Sequence, residues 1–242
     1  IRDSSVTGVQ TCALPILRVC GMMRLAEVDQ HKLGKHLMKM SFTNLASKVS
    51  KLYFLQIGNV DADILEFIAS LSTPFKITKT DIDYGKGWTF KNNESLQELY
   101  KTIDEQFDWV LYPDADDLLP DDVLNTLNKA SILEADTVRF HFIECFTSPD
   151  KIIAVKEGFP IGPHFKAVIH SPDINFIDSP GFNQPTGVKR WLETEDCVRH
   201  LRYATPEAVA RRREMNYYQD FFLQNHELID FVEGESIDYY KR

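Results

Sequence analysis

The stretch Asp108–Asp122 reads DWVLYPDADDLLPDD. An apolar run, Trp109 to Tyr112, passes straight into Asp114-Ala115-Asp116-Asp117, and a helix is expected to begin near Pro120. In an extended chain alternate side chains share a face, so Asp114 and Asp116 are expected to point together at one ligand. Carboxylates that close repel each other unless a cation lies between them. A hard divalent ion, Mg2+ or Mn2+, takes a few carboxylates and completes its shell with phosphate oxygens, which makes Asp114 and Asp116 the expected metal and phosphate ligands. Acidic residues at such junctions also serve as turn formers and helix caps, and Asp121 and Asp122 beside Pro120 are read that way.

Upstream, short apolar runs alternate with helix-period segments. Leu17–Met23 (LRVCGMM), Lys51–Ile57 (KLYFLQI) and Phe75–Thr80 have strand length. Leu33, Leu37 and Met40 follow the first, and Ile64, Leu65, Ile68 and Leu71 the second, each at helical spacing. Leu96, Leu99, Tyr100 and Ile103 follow the third, and Val123, Leu124 and Leu127 follow Trp109–Tyr112. Four strand-helix units in series predict an α/β fold with a mainly parallel central sheet covered by helices on both faces. Ligands of such open sheets bind at the carboxyl ends of the strands, which is where the acidic cluster falls. After Ala130 the rhythm changes. Thr137–Phe142, Ile152–Lys156 and Lys166–His170 read as strands joined by irregular loops, and Ser179–Thr186 is too rich in Gly and Pro for a regular element. Thr205-Pro206 supplies a cap and a first-turn proline for a long helix to about Asn225.

Composition excludes several classes. The 242 residues carry 27 basic and 36 acidic side chains, a net charge of -9, which argues against a phosphate-tracking nucleic-acid face. No window approaches the roughly 18 continuous apolar residues of a membrane span. Cys12, Cys20, Cys145 and Cys197 have no paired spacing, so neither a zinc knuckle nor a disulfide framework is expected, and a reducing, cytoplasmic setting is. Val6–Ile16 (VTGVQTCALPI) resembles the translation of a sequencing-library adapter. Residues 1–16 are therefore expected to be a non-native leader, and residues 17–242 a single domain.

An apolar strand, D-A-D-D, an apolar pair and then Pro-Asp resembles the metal-binding motif of glycosyltransferase family 2 and related GT-A enzymes. The resemblance spans about Leu17 to Asn225 in element order, but only the D-x-D region is specific. It implies a Rossmann-like GT-A domain, a nucleotide-diphospho-sugar donor, a carbohydrate or other hydroxyl acceptor, and Mn2+ or Mg2+. By analogy Asp116 ligates the metal, Asp114 contacts the ribose or the metal's water shell, and Asp117 is the next candidate. Residues 17–130 form the nucleotide-binding half and 131–242 the acceptor half.

Other positions depart from the family pattern. Asn-Glu is usual after the first strand; here Arg24-Leu25-Ala26-Glu27 offers only the Glu. After the second strand, Asp61 either meets the base or ribose or caps the next helix. Between the third strand and its helix, Asp83–Trp88 contains Lys86 for a phosphate and Trp88 for stacking, and Asn92-Asn93 follow; Lys86 and Asn93 join the nucleotide-binding candidates. An inverting transfer needs a carboxylate to take the acceptor's proton. Asp196 in LETEDC is the first candidate, Glu195 the second and Asp178 an outsider; a solvated charged turn is the plain alternative. His200 stands where some GT-A enzymes place a metal-binding His, while His164 and His170 lack an acidic partner in sequence.

Three other classes compete. A haloacid-dehalogenase-type phosphatase expects D-x-D on its first strand, whereas three strand-helix units precede it here. A nucleotidyltransferase shares the metal logic but opens with a Gly-rich basic loop after strand one, and none surrounds Arg24. A non-catalytic nucleotide-sugar or carbohydrate-binding module of the same fold is the non-enzymatic alternative.

Overall fold

β1 (Val19–Ala26) is buried from end to end and lies at the centre of the sheet, flanked by β2 (Lys51–Ile57) and β4 (Trp109–Leu111), both parallel to it. β3 (Phe75–Thr80) extends the parallel set beyond β2. The computed structural model describes residues 16–82, 88–153, 163–179, 183–214 and 228–240. Strand alternation sends side chains into two cores. Val19, Met23, Leu25, Leu52 and Phe54 pack on one face; Cys20, Met22, Tyr53, Leu55 and Ile57 pack on the other. A strand buried on both sides has to be apolar throughout, which is why these segments read as unbroken runs rather than alternating ones.

The first face is covered by α2 (Lys35–Ala46), α3 (Ala62–Ala69) and α5 (Val123–Ile132), through Leu37, Phe42, Leu45, Ile64, Ile68, Val123 and Leu127. The second is covered by α4 (Trp88–Lys101), through Leu96, Leu99 and Tyr100. Gly21 lets α2 approach closely, since a Cβ there would stand 2.9 Å from Leu45. α1 (Glu27–Lys32) follows β1 directly.

The later strands extend the sheet in the order β4, β8 (His164–Ile169), β6 (Thr137–Phe146), β7 (Lys151–Ile153), β10 (Leu228–Asp230). β8 runs antiparallel to both β4 and β6, so the sheet is mainly rather than wholly parallel. β9 (Trp191–Tyr203) pairs parallel with β6 and antiparallel with the two-residue β5 (Asp117–Leu118). It is 13 residues long, and it replaces the charged turn considered for LETEDC. Its register against β6 slips between Arg139↔Glu193 and His141↔Cys197, so Thr194–Asp196 form an irregularity within a strand. The hydroxyl of Thr205 accepts from the amide of Ala208 at 3.1 Å and caps α6 (Pro206–Glu214), as its sequence predicts. The remainder of that expected helix, and Lys156, lie outside the described residues. No helix among the described residues is long and apolar enough to cross a membrane. Cys20, Cys145 and Cys197 are buried free thiols.

Candidate metal and nucleotide site

The acidic segment leaves β4 and turns instead of running on extended. The amide of Asp117 donates to the carbonyl of Asp114 at 3.1 Å, while the amide of Asp114 donates to Asp117 Oδ2 at 2.8 Å. This reciprocal turn corrects the expectation that Asp114 and Asp116 share a face: the two carboxylates separate toward different partners.

Asp114 is held by cations and amides. Arg24 Nη2 donates to its Oδ1, Lys166 Nζ lies 2.6 Å from Oδ2, and Asn183 Nδ2 lies 3.1 Å from Oδ2. The clamp is itself braced. Arg24 Nη1 donates to the carbonyl of Asn92 at 3.1 Å, Asn92 Nδ2 donates to Asn183 Oδ1 at 2.8 Å, and the amide of Asn183 donates to Asn93 Oδ1 at 3.2 Å. Burial raises the pKa of the Asp114 carboxyl, but Lys166 and Arg24 outweigh it and hold the group down at about 2. Lys166 also contacts Asp117 Oδ2 at 2.7 Å and is itself 1% exposed. Burial pushes Asp117 up to about 6 despite Lys166, with the charge of Asp114 adding to the shift.

Asp116, Asp117 and His200 form the other half. Pairing of Asp117 with His200 across β5 and β9 brings potential ligand atoms of all three residues within 4.8 Å of one another. His200 Nε2 is 2.9 Å from Asp116 Oδ2, and its Nδ1 is 3.1 Å from Glu144 Oε1. Burial disfavours an imidazolium, but Glu144 and Asp116 outweigh it and raise the His200 pKa to about 10. Asp117 Oδ1 is buried and accepts no hydrogen bond among the described residues. A buried acceptor of that kind is costly unless a donor or cation meets it. Two carboxylates and an imidazole nitrogen form a donor set that fits Mn2+ or Mg2+, and a carboxylate on the far ring nitrogen is the usual support of a metal-bound His. Once His200 gives up its proton, Asp116, Asp117 and His200 could hold a cation, while Asp114 is paired with Arg24 and Lys166.

The remaining candidates are more dispersed. Asp61 occupies the N-cap position of α3 but makes no side-chain cap hydrogen bond; its Oδ2 pairs with Lys35 Nζ at 2.6 Å, half-exposed. Asn93 is buried in the brace just described. Lys86 lies outside the described residues. Asp196 Oδ2 accepts from the hydroxyl of Thr126 on α5. Asp196 precedes His200 by four residues on β9, at most about 13 Å of extended chain. Glu195 is exposed in the row Trp191, Glu193, Glu195, while Leu192, Thr194 and Asp196 form the less exposed row. Asp178 is exposed and accepts from Asn175 at 3.3 Å. His164 stacks on Phe142, with ring centroids 4.3 Å apart, and burial together with Lys166 lowers its pKa to about 4.

Sequence reading missed Arg24, Glu144, Lys166 and Asn183. The available signal for three of them was a charge inside an apolar strand: Arg24 in VCGMMRLA, Glu144 in HFIECF and Lys166 in HFKAVI. Such charges have to be paired.

The raised His200 pKa has a measurable consequence for stability. Its contribution is complete below the unfolded value near 6.5 and declines as pH rises through about 10. In the presence of a chelator, the stability gap between the parent protein and His200→Gln should narrow steadily from pH 6.5 to 10. A gap independent of pH in urea titrations would show that His200 is not charged in the folded state.

No protein-family model matches the chain, and no curated protein sequence does. Distant likenesses exist among solved structures. TarS from S. aureus matches with a TM-score of 0.38 and 10% identity over 53% of this chain and 22% of TarS, so the chain spans less than a quarter of that protein. HddC from Yersinia pseudotuberculosis matches with a TM-score of 0.45 and 11% identity over 83% of this chain and 100% of HddC. The inositol-1-phosphate CTP transferase from T. maritima matches with a TM-score of 0.45 and 11% identity over 80% and 92% of the respective chains.

Proposed function

We propose that this chain is a divalent-metal-dependent glycosyltransferase that moves a sugar from a nucleotide-diphospho-sugar to an acceptor hydroxyl with inversion. The observation that carries this reading is the convergence of Asp116, Asp117 and His200 beyond the carboxyl end of β4 in a mainly parallel sheet. That is where open α/β sheets take nucleotides. Bound there, Mn2+ or Mg2+ would neutralise the diphosphate leaving group. Arg24 and Lys166 hold Asp114 rigidly beside that position, and Asn183 adds two amide contacts at 3.3 and 3.1 Å.

In the transfer, the bond from the anomeric carbon to the diphosphate breaks, the bond to the acceptor oxygen forms, and the acceptor's proton passes to a carboxylate. A general base needs an oxygen that is open to the acceptor. Asp196 already accepts from Thr126 on the α5 side, whereas Glu195 is exposed, so Glu195 takes this role in our reading, the reverse of the order suggested by sequence. Glu195→Gln should lower kcat by about 10²-fold or more with donor affinity unchanged. Asp196→Asn should alter neither by as much as tenfold. The opposite pattern in steady-state kinetics would return the base to Asp196.

A thermal-shift panel of nucleotide-diphospho-sugars with and without Mn2+ tests the central claim; a metal-dependent rise with at least one donor is expected. Product analysis then separates the classes: a nucleoside diphosphate is released by glycosyl transfer and pyrophosphate by nucleotidyl transfer. β1 passes into α1 at Ala26-Glu27 without the Gly-rich loop of a nucleotidyltransferase, which favours the first. Binding without turnover of any acceptor would support the non-catalytic module.

A further inference from the structure

A groove of about 400 Å³ is lined by residues of β6, β8 and β9 and of the segment before β9, Arg139, Phe165, Gln184, Thr186 and Trp191 among them. Both of its walls begin one residue from the site. Phe165 precedes Lys166, which binds Asp114; Gln184 follows Asn183, which also binds Asp114. Two residues of its lining thus adjoin, along the chain, residues of the clamp that holds Asp114.

Its chemistry is aromatic and neutral. Trp191 is 56% exposed, whereas Trp109 is buried at 1%. The guanidinium of Arg139 stacks over Phe165 at 5.1 Å, and its charge is matched by Glu193 at 3.3 Å. An anion would have to displace Glu193 to use that arginine. The side-chain amide of Gln184 makes no hydrogen bond among the described residues, and the Thr186 hydroxyl donates to the carbonyl of Asn175 at 3.0 Å, leaving its lone pairs to accept. Flat apolar faces rimmed by neutral donors and acceptors complement a sugar ring, which presents C–H groups on its faces and hydroxyls at its edge. The volume suits one or two pyranose rings.

We propose that this groove is the acceptor subsite and that its occupant is a neutral saccharide stacked on Trp191, with Gln184 and Thr186 meeting its hydroxyls. The proposal deepens the glycosyltransferase reading and rests on it for the word acceptor. The binding itself can be tested separately from that reading.

The test uses four neutral disaccharides as probes, cellobiose, maltose, lactose and N,N′-diacetylchitobiose, in saturation-transfer NMR on the full chain without metal or nucleotide. At least one should bind, and Trp191→Ala should weaken it by about tenfold or more, with Trp191→Phe retaining part of the affinity. Nucleotide binding with Mn2+, measured on the same variants, should be unchanged and shows that they are folded. Absence of transfer to all four sugars, or equal binding by Trp191→Ala, overturns the groove. So does binding of a sugar phosphate in preference to its neutral parent. Loss of metal-dependent nucleotide binding in the parent protein, with saccharide binding intact, would instead overturn the donor reading and leave a saccharide-binding groove.

Discussion

Lys166→Met is expected to destabilise the protein by about 3–5 kcal/mol, the range found when one partner of a buried ion pair is removed. Lys166 is 1% exposed and lies 2.6 Å from Asp114 and 2.7 Å from Asp117, so a single ammonium serves two carboxylates. Methionine nearly fills the same volume, which leaves the charge as the main change. Arg24 and Asn183 still hold Asp114, but Asp117, with no exposed side-chain surface, loses the ammonium that lies 2.7 Å from its carboxylate. Denaturant titration should show a lower midpoint with an unchanged slope. Asp117→Asn in the same background should restore part of the loss, because it removes the stranded charge. Lowering the pH should also narrow the deficit of Lys166→Met, since a buried carboxyl with a raised pKa loses stability as pH rises and regains it on protonation. A cost below about 1 kcal/mol would mean that the ion pairs are solvated and that the cluster is not a buried one.

The strands and the position of the site were legible because both depend on local pattern. β1, β2 and β4 are buried on two faces, so their sequences are continuous apolar runs, and the acids begin where burial relaxes. β9 was not legible, because one of its edges is exposed and its first half alternates as Trp-Leu-Glu-Thr-Glu-Asp. That pattern has period two, but its charges imitate a solvated turn. The grouping within the site was harder still. Arg24 meets Asp114 across 90 residues, Lys166 across 52, and His200 meets Glu144 across 56. Such pairs are set by sheet order and register, and a single sequence carries no trace of them beyond an unpaired charge in an apolar run. Asp114 and Asp116 were expected to act together because extended geometry was assumed; the turn closed by the Asp117 amide separates them.

Asp116→Asn is expected to lower nucleoside-diphosphate affinity in the presence of Mn2+ by tenfold or more, about 1.4 kcal/mol. The charge count of the site explains why metal and nucleotide should depend on each other. Arg24, Lys166, His200 and Arg202 carry positive charge against Asp114, Asp116, Asp117 and Glu144, so four cations face four anions. A dication bound partly through His200 displaces its proton, so metal alone leaves an excess charge of one in this otherwise neutral, buried group, which is unfavourable at low dielectric. A diphosphate arriving with it removes that excess. Mn2+ alone should therefore bind weakly, the nucleotide alone should bind weakly, and each should raise the affinity of the other by the same factor, as linkage requires. Asn at position 116 removes one ligand and one charge while keeping the side chain's size, so it should reduce the coupling more than it reduces metal-free nucleotide binding. Calorimetric titrations of UDP and GDP into the parent and the variant, with Mn2+ and with chelator, give all four corners of that cycle. Equal affinities for the parent protein with and without metal would remove the metal-dependent donor site, and with it the proposed transfer.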